Sequence, residues 1–393
     1  MWLDSTEETM PVIRLLLMEK NFPYLCSSGV LQGKKLFIAQ GVVIEPSVLL
    51  KEIDLFAKRG LQIELTIDPR VHIVMPYHKE LDRATELWKG KSATGSLHLG
   101  IGYCYEDKNN RFGIRFEDLI DPKVLRDKLE TIFPLKKRQI ELVYGQKTTL
   151  TIDGIYQEYA RYGKKLKKYL GDVSLIISAA LGNDKKRVLF EGAHGTFLDA
   201  IFGTYPFTTA VYTISGGVFP YVGVAPQKIY TLGVVKAYTT RVGNGPFPTE
   251  LSNEVGRGMR RRGGEFGTVS KRPRRCGWLD LVLARTAARL SGFDYLSLTK
   301  LDVLSSFENI KVCTHYILHG KKLKEAPAGM KDFADCKAVY KIFRGWKSDI
   351  SNIRKFTDLP GEAKTYIKFI EKNLKVPVRY VFVGPDREQT ILM

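Results

Sequence analysis

The chain has 393 residues, 44% of them hydrophobic and 26% charged, ordinary values for a soluble globular protein, so a substantial core is expected. No apolar run reaches membrane-spanning length, and the acidic start "MWLDSTEETM" lacks the basic-then-apolar order of a signal peptide, so a cytoplasmic location is expected. The net charge of +19 favours anionic partners such as nucleotides or nucleic acid, or else reflects lysines on solvated helix faces. Five scattered cysteines (Cys26, Cys104, Cys276, Cys313, Cys336) without CxxC spacing read as reduced thiols, and six dispersed histidines form no metal-binding motif.

In chain order, "GVLQGKK" (Gly29 to Lys35) is the nearest approach to a phosphate-cradling P-loop. Its glycines are one residue too close and no Ser or Thr follows the lysine, so it reads as a turn before the first strand. That strand is predicted from Leu36 to Ile44. A helix follows through "PSVLLKEIDLFAKRG", with Pro46 at its start, Leu49, Ile53 and Phe56 on one face and Gly60 at its end. "LQIELTI" alternates as a strand does, and Ile155 to Leu181 reads as one long amphipathic helix. "RVLFEG", "DYLSLT" and "RYVFVGP" are further strands, the second and third preceded by helices in "WLDLVLARTAARLSGF" and "GEAKTYIKFIEKNL". Strands alternating with helices predict an α/β fold, one large domain around a mostly parallel central sheet with smaller subdomains. Ligands of such sheets lie beyond the carboxyl ends of the strands.

Several unusual stretches fall at such ends. "FEGAHGTFLDAIFGTYPFTT" (Phe190 to Thr209) offers backbone freedom at Gly192, Gly195 and Gly203 and hydroxyls at Thr204, Thr208 and Thr209, suited to a phosphate or a purine edge; a tight crossover is the alternative. "TTRVGNGPFPTE" (Thr239 to Glu250) is a rigid, shaped loop or a plain turn. "RRRGGEFGTVSKRPRR" (Arg260 to Arg275) carries seven basic residues whose guanidinium forks suit carboxylate or phosphate; with Phe266 as its one aromatic residue it is poor in the stacking side chains that nucleic acid prefers. In "LTKLD" (Leu298 to Asp302) a carboxylate can accept both guanine N1–H and N2–H.

Taken together and in order, "FEGAHGTFLDAIFGTYPFTT", "KAYTTRVGNGPFPTE", "EFGTVSKRPRRCGWLD", "LTKLDVL" and "GPDR", with "GVVIEPSVLLKE" and "GIGYCYEDK" before them, resemble adenylosuccinate synthetase. The match divides the chain into an N-terminal segment unlike the family (1–22) and an adenylosuccinate synthetase-like domain (23–393). The resemblance implies a homodimeric C–N ligase of purine synthesis that uses GTP and Mg²⁺ to join L-aspartate to IMP through 6-phosphoryl-IMP. It implies IMP contacts at Arg111 (reaching the partner subunit's IMP), His194 (where the family has glutamine), Thr209, Val242 and Arg272. Aspartate falls to the loop Thr268, Val269, Ser270, Lys271, Arg272, Pro273 and Arg274. GTP falls to Arg274, Lys300, Leu301, Asp302, Phe382, Val383 and Gly384.

The chain also departs from the family pattern. The family's WGDEGKGK phosphate loop, with its Asp base and magnesium ligand, and its GHNAGHT segment, with the catalytic His, are not found, so no catalytic residue and no metal ligand is assigned. Family GTTGRG is "GSLHLG" here, placing Leu97 and Leu99 at a threonine and an arginine position. Lys271 and Pro273 interrupt the family's arginine run, and Phe382 and Val383 replace Ser-Thr. The resulting expectation is synthetase ancestry with impaired or lost catalysis; the alternative is an inactive homologue binding a purine nucleotide or nucleic acid.

Overall fold

The computed structural model describes residues 12–15, 27–90, 93–267 and 272–393. They form two compact units: one of residues up to His194 together with Thr209–Pro226, the other of Gly195–Thr208 with Gln227–Met393. Both are α/β, as the alternating pattern predicts.

The first unit holds an all-parallel sheet in the order Leu65–Ile67, Lys35–Ile38, Val12–Leu15, Arg187–Phe190. The expectation that the first strand begins at Leu36 is corrected: Val12–Leu15 precedes it and pairs with both neighbours. The predicted strand from Leu36 to Ile44 is in fact two, Lys35–Ile38 and Val43–Ile44. The chain breaks at Gly41, where an added Cβ would lie 2.2 Å from the Tyr221 ring and where the N–H donates to the Tyr221 carbonyl at 2.9 Å. "GVLQGKK" is likewise more than a turn, since Ser27–Leu31 is helical and Lys35 already opens a strand. Strand geometry in "LQIELTI" is confined to Leu65–Ile67.

The single long helix expected from Ile155 to Leu181 is two, Ile152–Leu166 and Val173–Leu181. The chain turns at Gly171, whose N–H donates to the Ile67 carbonyl at 3.1 Å and whose missing side chain leaves room for Thr66. Asp172 then caps the second helix by accepting from the Leu175 N–H at 3.0 Å. Period alone carries no mark of this break; the Gly-Asp pair does. The helix Pro46–Lys58 is as predicted, with Leu49 and Phe56 fully buried and Ile53 packed beside them.

A buried charge cluster joins three helices of this unit. His78, Asp107 and Lys136 are at most 1% exposed. The Met75 N–H donates to His78 Nδ1 at 3.0 Å, which leaves His78 Nε2 to donate to Asp107 Oδ2 at 3.0 Å. The Lys136 ammonium donates to the other carboxylate oxygen. Burial alone would push the Asp107 carboxyl up, but the His78 hydrogen bond and the Lys136 charge override it and hold it below its usual range. Burial also keeps His78 below its ordinary value, so the cluster is neutral in sum. The Asp107 carbonyl accepts from Phe112 and Gly113 N–H at 2.9 and 3.1 Å, fixing the turn that carries Arg111.

The second unit has a sheet ordered Thr390–Leu392, Val378–Phe382, Tyr295–Thr299, Leu232–Lys236, with the first strand antiparallel and the other three parallel. The helices Leu281–Ser291, stopped by left-handed Gly292 as predicted, and Gly361–Leu374 contribute to its core. A second sheet is built on Asn309–Leu318, with Lys321–Leu323 and Lys337–Arg344 antiparallel to it and Leu279–Asp280 parallel. Cys104 in the first unit and Cys276, Cys313 and Cys336 in the second are free and buried, and burial raises all four thiol pKa values; Cys26 lies outside the described residues. Among the described residues no helix is long and apolar enough to cross a membrane.

Lys136→Met strands a carboxylate in the first unit's core. Urea unfolding should show a loss of about 3–5 kcal/mol; a loss below 1 kcal/mol would mean the cluster is not the anchor described.

Candidate functional site

The three parallel strands of the second unit deliver their carboxyl ends side by side. The Ala237 N–H donates to the Thr299 carbonyl at 2.8 Å, and the Leu301 N–H to the Phe382 carbonyl at 3.2 Å. Lys300–Asp302 and Phe382–Gly384, distant in sequence, are thereby adjacent. Lys300 takes a left-handed backbone (φ +62°), and its ammonium donates to the Gly263 carbonyl. Leu301 and Val383 are fully buried, so neither side chain faces a ligand, and their N–H groups donate to the Phe382 and Gln389 carbonyls. Asp302 is half-buried. Burial pushes its carboxyl up, opposed by its own and the Val303 N–H groups and by Lys300. Gly384 has a local reason to lack a side chain, because a Cβ there would sit 2.0 Å from Gln389 Oε1.

Beside these ends stands the root of the basic loop. Phe266 and Pro273 bridge antiparallel, the Gly267 N–H donates to the Arg272 carbonyl at 2.8 Å, and the Arg274 N–H donates to the Glu265 carbonyl at 2.9 Å. The candidate aspartate residues Thr268, Val269, Ser270 and Lys271 lie outside the described residues. Arg272 and Pro273 are exposed on the bridge.

The residue that organises this root is one the sequence did not single out. Glu265 has no exposed surface and its carboxylate accepts from three side chains: Lys236 Nζ at 2.8 Å, Tyr238 Oη at 2.7 Å and Arg274 Nη1 at 2.8 Å. Burial would raise its pKa; the Lys236 charge and the three donors reverse this and pull it down to about 2. The only sequence hint is an acidic residue inside a basic run.

The "VGNGPFP" loop is held by two further arginines, Arg241 just before it and Arg275 at the end of the basic run. Arg241 donates from Nε to the Asn244 carbonyl and from Nη2 to Thr204 Oγ1, each at 2.8 Å. Arg275 grips Glu250 through Nε at 2.7 Å and through a second bond from Nη2, and donates from Nη1 to the Gly245 carbonyl at 2.8 Å. Burial beside Arg275 pushes the Arg241 guanidinium down to about 10. Gly245 takes a φ of +98°, which strains any residue with a side chain, and an added Cβ would also lie 2.7 Å from the Phe207 ring. Val242 stands 58% exposed on this pinned loop.

In the glycine-rich stretch from Phe190 to Thr209, Gly192 and Gly195 have nothing within 4 Å of an added Cβ, so they leave open space. At Gly203, instead, an added Cβ would lie 2.3 Å from the Asp199 carbonyl oxygen, and buried Thr204 serves Arg241. Thr209 Oγ1 accepts from the Val211 N–H at 3.2 Å. Exposed His194 adopts a left-handed backbone (φ +67°), as does exposed Arg111 (φ +65°) at the end of the helix Ile101–Asn110. In "GSLHLG", Leu97 and Leu99 are 44% and 40% exposed and His98 is also left-handed. Among the described residues no group of three His, Cys, Asp or Glu side chains could hold a metal ion.

A strand-end site flanked by carboxylates and guanidinium groups is an arrangement of nucleotide-handling α/β enzymes. The comparisons make this specific. A family model described as Adenylosuccinate synthetase matches residues 18–391. Adenylosuccinate synthetases of Acetivibrio thermocellus and Caldanaerobacter subterraneus are 44% and 42% identical, covering 94% of this chain and 88% and 87% of theirs. The structure of fully ligated adenylosuccinate synthetase from Plasmodium falciparum superposes with a TM-score of 0.89 at 33% identity, over 98% of this chain and 94% of that one. The chain belongs to the adenylosuccinate synthetase family.

Because the folded-state pKa of Glu265 lies below its ordinary 4.5, its contribution is complete above that pH and is lost as pH falls towards 2. The stability difference between the native chain and Glu265→Gln should therefore shrink by about 3 kcal/mol between pH 5 and pH 2. A difference independent of pH in acid denaturant titrations would show that the carboxylate is not held ionised.

Proposed function

We propose that the chain binds GTP, IMP and L-aspartate and is built for GTP-dependent ligation of aspartate to IMP through 6-phosphoryl-IMP, in AMP synthesis, with residues 23–393 acting as the synthetase domain of a homodimer. The observation that carries this reading is the juxtaposition of Lys300–Asp302 with Phe382–Gly384 at two parallel strand ends, joined by the Leu301–Phe382 hydrogen bond. Asp302 accepts guanine N1–H and N2–H there, and the Lys300 stem packs along the base. Arg272 and Arg274 present guanidinium forks to the aspartate carboxylates and to phosphate. IMP is bound through Arg111, His194, Thr209, Val242 and Arg272, with the open backbone at Gly192 and Gly195 supporting close approach. Phosphorylation converts the IMP oxygen into a leaving group that the aspartate amine displaces. Mg²⁺ would supply charge neutralisation on the phosphates.

Turnover by these 393 residues is reduced. WGDEGKGK and GHNAGHT do not occur in them, and a general base or acid contributes about 10²–10⁴ in rate. Leu97 and Leu99 in place of polar phosphate contacts add to this. The inactive alternative, binding of nucleic acid by the +19 surface, predicts affinity that falls steeply with salt.

Incubation with GTP, IMP, L-aspartate and Mg²⁺, followed by chromatography, tests the reading. A trace of adenylosuccinate that depends on aspartate is expected. Absence of both product and IMP binding would overturn it. Asp302→Ala should weaken GDP binding about 10–100-fold while leaving IMP binding unchanged; an unchanged GDP affinity would remove the guanine assignment.

A further inference from the structure

We propose that Glu265 is a positioning residue for guanine-nucleotide binding, acting through Arg274. The proposal rests on the nucleotide reading above and deepens it. Three stretches of chain meet on this one carboxylate: the end of the strand Leu232–Lys236 with its successor Tyr238, the C-terminal limb of the basic loop, and Glu265 itself. Arg274 is bound on both its backbone and its side chain. Its N–H donates to the Glu265 carbonyl, its Nη1 donates to the Glu265 carboxylate, and its carbonyl accepts from Arg260 Nε at 2.8 Å. The Nε–H of Arg274, by contrast, is buried with no hydrogen-bond partner. A guanidinium locked at one nitrogen with a desolvated donor unused is an anion-binding group held ready, because a buried donor without an acceptor is costly until one arrives.

The same hub touches the guanine segment. The Lys300 ammonium donates to the Gly263 carbonyl, and an added Cβ at Gly263 would lie 2.1 Å from Tyr238 Oη, the group that donates to Glu265. Glu265 therefore fixes Arg274 relative to Lys300 and Asp302. Any loosening of the carboxylate lets Arg274 turn away from the phosphates of a nucleotide whose base is read by Asp302. Guanine-nucleotide affinity falls while IMP affinity does not.

A double-mutant cycle on the full chain, with GDP and IMP as calorimetric probes, tests this. Glu265→Gln should weaken GDP binding about tenfold and leave IMP binding within twofold, and in an Arg274→Ala background the same change should add nothing. Tyr238→Phe, which keeps the Arg274 pair, should retain GDP affinity within threefold and serves as the folded control should Glu265→Gln be too unstable to purify. Equal loss of GDP and IMP binding, additive losses in the cycle, or a Tyr238→Phe defect as large as that of Arg274→Ala would each overturn the proposal. Asp302→Ala separates the two levels. If it weakens GDP binding and Arg274→Ala does not, Glu265 has no nucleotide contact to position; if neither does, the guanine reading itself has failed.

Discussion

A carboxylate removed entirely from water survives only if its charge is matched and its lone pairs are filled. Glu265 meets both conditions with donors from Lys236, Tyr238 and Arg274, and much of the second unit's strand-end geometry follows. The ammonium and hydroxyl come from the end of one strand, and the guanidinium from the far limb of a loop. Satisfying one buried charge therefore fixes where that loop is rooted. The first unit solves the same problem with Asp107, which His78 and Lys136 satisfy and whose carbonyl sets the turn bearing Arg111. In both places a group with no access to solvent decides where an arginine stands: half-buried Arg274 in one, exposed Arg111 in the other.

The fold was legible in the sequence wherever a helix or strand is bounded by its own chemistry. Pro46, Gly60 and Gly292 marked helix limits that the structure keeps. Reading failed where tertiary contact interrupts a periodic run. Gly41 and Gly171 break their segments because Tyr221 and Thr66 occupy the space beside them, and neither neighbour is near in sequence. The alternation in "LQIELTI" overstated a strand that pairs over only three residues.

For the site, quoted motifs located the strand ends and the basic loop, since glycine, arginine and carboxylate clusters are visible in one dimension. The supporting residues were not visible. Lys236, Tyr238, Arg241, Glu250 and Arg275 are unremarkable until folding brings them to Glu265 or to the "VGNGPFP" loop. The structure also divides the glycines by purpose: Gly203, Gly245 and Gly384 make room for the protein's own atoms, whereas Gly192 and Gly195 face open space. Side-chain absence alone cannot tell these apart.

The sheltered thiols have a practical side. Cys104 belongs to the first unit, and Cys276, Cys313 and Cys336 to the second, all buried and all with raised pKa values. A thiol must be exposed and deprotonated to be alkylated, so labelling at these positions waits for local opening. With Cys26 replaced, the rate of mass gain at Cys104 against the other three becomes a clock for each unit separately. Substrate protection could then be read one unit at a time, without an activity to follow.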